Sequence, residues 1–335
     1  MAAAGKRPQL FRAPFVPHVL SSPVCHRMNI FRRRLALALA LSPLVVTLPL
    51  KAQAPAPATA APPAKLGSTV FKWEDFAVKP TANGQRRDVT DRPTATLVRF
   101  ESHITTLNQG KMSHAPHRHP QEEFIILKEG MLDVSINGQV QRAEVGSILF
   151  FASNDLHNVT NVGDQPATYL VFNFRTGATP ATAAPSAAAT AASGKLASRI
   201  FHWDELEAKP TAKGARREIV NAPTTSCVSL EGHLTTLRAG EMPHAAHTHP
   251  DEELVVVKEG LMEVTINGVT QRGGPGSIFF YASMDLHGMK NVGSTEATYY
   301  VFRVITEATP QPLQQPGRAV RNIFDELPLK NHGKS

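Results

Sequence analysis

The chain has 335 residues, room for two domains, with 42% hydrophobic residues, two cysteines and a formal charge of +7. Eight of the 35 Lys and Arg residues and none of the 28 Asp and Glu residues fall within residues 1–54. The remainder therefore carries 27 basic against 28 acidic groups, near −1, which removes support for nucleic-acid or anionic-membrane binding, and Cys227 alone cannot form an internal disulfide.

From the N-terminus, Arg32, Arg33 and Arg34 precede an apolar run from Leu35 to Leu50, followed by Ala52 and Ala54. A positive, apolar, small-residue order predicts an export signal over residues 1–54, with Met28 as a natural start. The run is interrupted by Pro43 and is shorter than the roughly 20 residues that span a bilayer. An organelle transit peptide is the alternative. The consecutive arginines faintly resemble a twin-arginine signal, which would export a protein folded with its metal inside. Residues 55–68, rich in Ala and Pro, are expected to be disordered.

A first domain is expected over 69–176. Phe124 to Leu127 reads as a buried strand closed by Gly130. Met131 to Ile136 and Gln139 to Arg142 flank Asn137-Gly138, whose two positive φ values suit a two-residue hairpin. Ser147 to Phe151 and Ala167 to Phe174 supply further strands, and long amphipathic helices are missing from the pattern. Residues 177–198 are an Ala/Pro/Thr-rich linker. A second domain follows over 199–306, because Phe201 to Thr306 aligns without a gap on Phe71 to Thr176. Leu254 to Val257, Asn267-Gly268, Ser277 to Tyr281 and Ala297 to Val304 repeat the elements above. Residues 307–335 form a tail in which Arg318 to Leu327 suits one short helix. The expected class is all-β, built from two barrels or sandwiches in tandem.

Each repeat carries the same candidate ligands: His117, His119, Glu123 and His157 in the first, His247, His249, Glu253 and His287 in the second. Residues i and i+2 share a face on a strand, so each His-x-His pair points one way, and the glutamate keeps that parity. His157 and His287 must come from another strand. One inward histidine is more often a hydrogen-bonded core residue. Two such convergences would bury several polar groups without compensation unless each holds a cation. Nitrogen and oxygen ligation suits a divalent transition metal, one per domain, with Mn or Fe favoured and Ni, Cu or Zn as alternatives.

The spacing resembles the cupin superfamily. Gly110, His117, His119, Glu123 and Gly130 match its first motif, and Gly146, His157 and Asn161 its second. Gly240, His247, His249, Glu253, Gly260, Gly276, His287 and Asn291 repeat both. The gap after the first glycine is one residue longer than the usual five. Ala152 and Asn154, then Ala282 and Met284, replace the usual Pro and Gly before the second-motif histidine. The resemblance implies a bicupin: two tandem double-stranded β-helix (jelly-roll) barrels, each with a metal inside. Its relatives include oxalate decarboxylases, quercetin dioxygenases and ureidoglycine aminohydrolases, so it implies function only weakly.

Among residues near the ligands, Glu123 and Glu253 could also accept a proton, and His114 and His244 are the candidate proton carriers, with a rim position as the alternative. His103 and His233, on the preceding strand, are expected at outward or rim positions, with proton transfer beside the metal as the alternative. Glu122 and Glu252, of opposite parity to the ligand, are expected to face out, and Asp155 and Asp285 to fix a turn. Tyr169 and Tyr299 read as core, Arg303 as a surface residue or carboxylate clamp, and Cys227 as a buried structural thiol. The expected function is an exported, metal-dependent small-molecule oxidoreductase, dioxygenase-like or oxalate-decarboxylase-like. The alternatives are a non-redox hydrolase, isomerase or lyase, and a sugar- or organic-acid-binding module without turnover. A small-molecule substrate is the expected partner, and the chain would be a monomeric bicupin or a higher homo-oligomer.

Overall fold

The computed structural model describes residues 63–184 and 194–311, so the expected signal and the helix in the tail lie outside the described residues. In the first half the strands are β1 (Thr69–Phe71), β2 (Lys79–Thr81), β3 (Gly84–Arg92), β4 (Arg99–Leu107), β5 (Glu122–Glu129), β6 (Met131–Ile136), β7 (Gln139–Glu144), β8 (Ile148–Phe151), β9 (His157–Asn161) and β10 (Ala167–Arg175). The second half repeats them as β11 (Arg199–Phe201), β12 (Lys209–Thr211), β13 (Gly214–Ala222), β14 (Ser229–Leu237), β15 (Glu252–Glu259), β16 (Met262–Ile266), β17 (Val269–Gly273), β18 (Ile278–Tyr281), β19 (His287–Asn291) and β20 (Ala297–Ile305). Single 3-10 turns follow β1 and β11. The all-β expectation holds.

Each barrel pairs a seven-stranded sheet with a three-stranded one. The first barrel has the order β11-β8-β5-β10-β4-β3-β2 with β7-β6-β9; the second has β1-β18-β15-β20-β14-β13-β12 with β17-β16-β19. The hairpins between β6 and β7 and between β16 and β17 turn on Asn137-Gly138 and Asn267-Gly268. All four residues have positive φ, as a type I′ turn requires.

The continuous apolar run of β5 serves two cores. Ile125 and Leu127 point into the first barrel, while Phe124 and Ile126 point into a layer shared by both. In β15, Val255 and Val257 fill the second barrel, and Leu254 and Val256 join the shared layer. A strand apolar on both faces is one buried on both faces, here between its own barrel and the partner barrel. Aromatic contacts seal the shared layer: the ring centroids of Phe124 and Phe302 lie 4.3 Å apart, and those of Phe100 and Phe280 5.6 Å.

Alternation along the same strands turns Glu122 and Glu252 into this layer, 0% and 1% exposed. They face away from the cavities, as parity requires, but not toward solvent. Glu122 accepts hydrogen bonds from Thr224 Oγ1 (2.6 Å), Ser226 Oγ (2.5 Å) and the Thr225 and Ser226 amides. Glu252 accepts the reciprocal set from Thr94, Ala95 and Thr96. Cys227 is buried beside this contact, and burial pushes its thiol up to about 12, so it stays protonated and inert as expected.

The short first strands cross over. β1 pairs with β18 of the second barrel, and β11 with β8 of the first. The end of the 55–68 span, expected to be disordered, is therefore ordered where it is described. Leu66 is buried and its amide bonds the Pro93 carbonyl, and Ser68 Oγ donates to Asp285 at 2.6 Å. Likewise the end of the 177–198 linker is held: the Leu196 amide bonds the Pro223 carbonyl, and Ser198 Oγ donates to Asp155 at 2.5 Å. Asp155 and Asp285 thus anchor the exchanged strands. A polar, Ala-rich composition conceals such contacts because most of the bonding is through backbone and hydroxyl groups.

After each exchanged strand a tryptophan lies flat on a glycine of the other barrel, Trp73 on Gly276 and Trp203 on Gly146. An added Cβ would stand 2.4 Å from the first ring and 2.8 Å from the second, and both glycines have positive φ. The Lys128 and Lys258 ammonium groups lie over the two rings, 4.6 and 4.5 Å from their centroids. Gly146→Ala and Gly276→Ala should each lower stability by about 1–3 kcal/mol, through strain and ring displacement. Thermal melts that match the wild type would contradict this packing.

Candidate metal centres

The loop before β5 and strand β9 bring the first set together. His117 and His157 form an antiparallel bridge, each amide donating to the other's carbonyl at 3.2 and 3.1 Å. His247 and His287 do the same at 2.9 and 3.0 Å. The Asn154 amide bonds the His119 carbonyl, and the Met284 amide that of His249. Asn154 and Met284 have φ near +66° and +69°. This left-handed turn occupies the place where the cupin pattern expects glycine, and it orients the second-motif histidine.

His117, His119 and His157 offer ligand atoms all within 4.8 Å of one another, as do His247, His249 and His287. In His119, His157, His249 and His287, Nδ1 bonds a backbone carbonyl at 2.9 Å. A carbonyl only accepts, so Nδ1 carries the proton and Nε2 presents a lone pair to the centre. Those four Nε2 atoms are buried without a hydrogen-bond partner. Buried, convergent lone pairs with fixed tautomers are what a cation would satisfy, so the donor set fits a metal. The rings are also clamped: Phe151 stacks on His157 at 4.2 Å and Tyr281 on His287 at 4.1 Å.

Glu123 Oε2 lies 3.6 Å from His119 Nε2, and Glu253 Oε2 lies 3.3 Å from His249 Nε2. Each glutamate sits against one imidazole without joining the mutual group. Burial and then the adjacent imidazoles hold His117 and His247 down at about 4, so both are neutral at physiological pH and free to ligate. Burial opposes ionisation of Glu123 and Glu253, yet a proton shared with His119 and His249 would hold both carboxyls below, and those two imidazoles above, their usual values; a bound cation would take that proton's place.

Cavities of about 320 and 280 Å³ open onto the two centres. His114 and His244 stand exposed at the mouths, their rings against His117 and His247 at 4.0 and 4.3 Å. Tyr169 and Tyr299 are buried and line the walls. Arg303 is neither on the surface nor a free clamp: its guanidinium lines the second cavity and binds both oxygens of Asp251 at 2.6 and 2.8 Å.

His103 and His233 are not outward. Both line the cavities, with Nδ1 on Glu101 at 2.8 Å and on Glu231 at 2.7 Å. Arg86 and Asn173 also hold Glu101, at 2.9 and 3.0 Å, and Arg216 holds Glu231 at 3.3 Å. Burial would raise Glu101, but His103, Asn173 and Arg86 bring its carboxyl below the usual value. Strand pattern alone does not single out Glu101, Glu231 and the arginines as partners of these histidines. A signal was available, since Glu-x-His and the upstream arginine recur at Glu101, His103 and Arg86 and at Glu231, His233 and Arg216.

The Cupin domain family matches residues 103–173 and 233–303, one copy in each half. The chain is a bicupin. Among solved structures, this bicupin is similar to the protein Ylba from E. coli, with TM-score 0.56, 12% identity, and 76% of this chain and 97% of that one covered. It is similar to a mutant of Bacillus subtilis oxalate decarboxylase at TM-score 0.54 and 16% identity, covering 73% and 79%. The formate complex of Lactobacillus farciminis oxalate decarboxylase matches at TM-score 0.54 and 15% identity, covering 73% and 88%. These likenesses concern the fold. No curated protein matches the bicupin in sequence.

Proposed function

We propose that this bicupin is an exported, metal-dependent oxidoreductase acting on a small molecule in the manner of dioxygenases or oxalate decarboxylases. The observation that carries the reading is the pair of buried three-imidazole centres, each with bare Nε2 atoms and each opening into a cavity large enough for a small organic acid. A manganese or iron ion held there would supply a Lewis acid and a one-electron redox centre.

The chain's own groups supply the rest. His117, His119 and His157 would hold the ion in the first barrel, and His247, His249 and His287 in the second. Glu123 and Glu253, beside one imidazole of each trio, are suited to completing the coordination or accepting a proton. The walls are mixed: Ile125, Phe151 and Val171 exclude water on one side, while His103 and His114 offer polar contacts. Both cavities keep a full donor set, which a purely structural scaffold would not need. The signal-like N-terminus supports export.

The test is metal analysis of natively purified protein, followed by oxygen uptake and carbon dioxide release with oxalate and with a flavonol and catechol panel. Turnover by the manganese or iron form, abolished by zinc replacement, is the expected result. Activity retained with zinc would favour non-redox chemistry, and no turnover of any compound would overturn the redox reading.

A further inference from the structure

Antiparallel pairing lays the cavity wall out in cross-strand rows. In the first barrel one row runs Glu101, Asn173, Glu123 and Phe151 across β4, β10, β5 and β8, and the next runs His103, Val171, Ile125 and Leu149. In the second barrel the rows are Glu231, Arg303, Glu253, Tyr281 and His233, Val301, Val255, Phe279. Neighbouring strands lie about 4.8 Å apart, so the backbones of Glu101 and Glu123 are separated by roughly 10 Å. The cavity of about 320 Å³, lined by both His103 and His157, has room for a molecule of a few heavy atoms. A register shift in β3 between Asp88 and Thr90, repeated between Glu218 and Val220, lies beside each histidine and bends the wall there.

Glu101 fixes the histidine's chemistry. Held by Arg86 and Asn173, its carboxylate accepts from His103 Nδ1, so neutral His103 is bare at Nε2. That nitrogen makes no hydrogen bond among the described residues, although the side chain lines the cavity. We propose that the Glu101–His103 and Glu231–His233 pairs are the proton-transfer dyads of the two cavities, acting on an O–H or activated C–H of a substrate seated beside the imidazole centre. The substrate's X–H bond breaks toward Nε2 and its electron pair stays on the substrate atom. The imidazolium charge then faces the glutamate, which remains ionised, and in the return step the same N–H donates. His103 and His233 are the catalytic residues; Glu101 and Glu231 are positioning residues. The other charged or titratable groups about His103 are Arg86 and Asp88 on β3, Glu123 and His157 across the cavity, Tyr169 on its wall and His114 at its mouth. About His233 they are Arg216, Glu218, Glu253, Arg303, the imidazole centre, Tyr281, Tyr299 and His244.

The assignment rests on reading the cavities as catalytic centres, so it is tested in two ways. Long-range proton–nitrogen spectra of the zinc-loaded full chain, assigned with His103→Gln and His233→Gln, should show Nδ1 protonated and Nε2 bare on both residues; the opposite tautomer would overturn the dyads. With a substrate found in the oxygen and oxalate screens, the double variant His103→Gln/His233→Gln should lower kcat about 100- to 10,000-fold, with metal content and KM unchanged. Glu101→Gln with Glu231→Gln should move the acid limb of the pH–rate profile downward, because an imidazolium without its carboxylate loses its proton more readily. An unmoved limb, or kcat within about twofold of wild type, would overturn the proposal. If no compound is turned over, the redox reading fails, and the tautomer measurement alone decides the dyads.

Discussion

His157→Ala should remove one metal ion per chain and His287→Ala the other, leaving the double variant without metal. Each ring is 3% exposed, donates Nδ1–H to a backbone carbonyl and presents a buried, unpartnered Nε2 to its centre. Loss of an outer-shell partner typically costs 10- to 100-fold in metal affinity, so loss of a direct ligand should cost at least about 100-fold. Elemental analysis after native purification and dialysis reads the result directly. Bound metal also stabilises the folded state, by about 4 kcal/mol at a free concentration 1,000 times Kd. The single variants should therefore keep one metal-dependent increment in melting temperature and lose the other. His114→Ala, at an exposed mouth position, is the control and should keep both ions. Full metal content in the double variant would remove the imidazole centres from consideration as metal sites.

A second large effect is expected where no ligand binds. Glu122→Ala should destabilise the chain by about 3–5 kcal/mol, and Glu252→Ala by a similar amount. Each substitution strips a fully buried carboxylate from hydroxyl and amide donors of the opposite half, and those donors then have neither water nor a partner. An exposed pair such as Lys79–Asp88 is worth at most about 1 kcal/mol, because water competes for both charges. For a domain of 150–250 residues, each kcal/mol shifts the melting temperature by about 2–4 °C, so a fall of roughly 10 °C is expected. Glu123→Ala, one residue away but on the cavity face, should instead act on metal and activity. Calorimetry showing a loss below about 1 kcal/mol in Glu122→Ala would mean that the two halves are held together without this contact.

These neighbours show how far pattern reading reaches. Parity alone separated Glu122 from Glu123, and it was right that only one faces the cavity. It had no means of knowing that the other side of the sheet is covered. The unbroken apolar run in β5 was the clue, since a strand open to water on one face would alternate. His103 was misplaced for a related reason. Strands β3 and β4 are polar and interrupted by a register shift, so the side toward which a mid-strand histidine points depends on pairing with β10. Short strands β1 and β11 carry too few residues for any periodicity, and their exchange between barrels follows from where the chain ends meet the partner's sheet edge.

What the amino-acid order determined by itself was local and periodic: the duplication, the Asn-Gly hairpins, the all-β class and the grouping of each His-x-His with its glutamate. These follow from side-chain alternation and turn chemistry, which act over a few residues. Tertiary structure decided which distant groups meet: the third imidazole across a strand bridge, the glutamates buried between barrels, the exchanged first strands and the histidine–glutamate pairs on the cavity walls. Strand pairing joins residues far apart in the chain, and register together with burial chooses their neighbours.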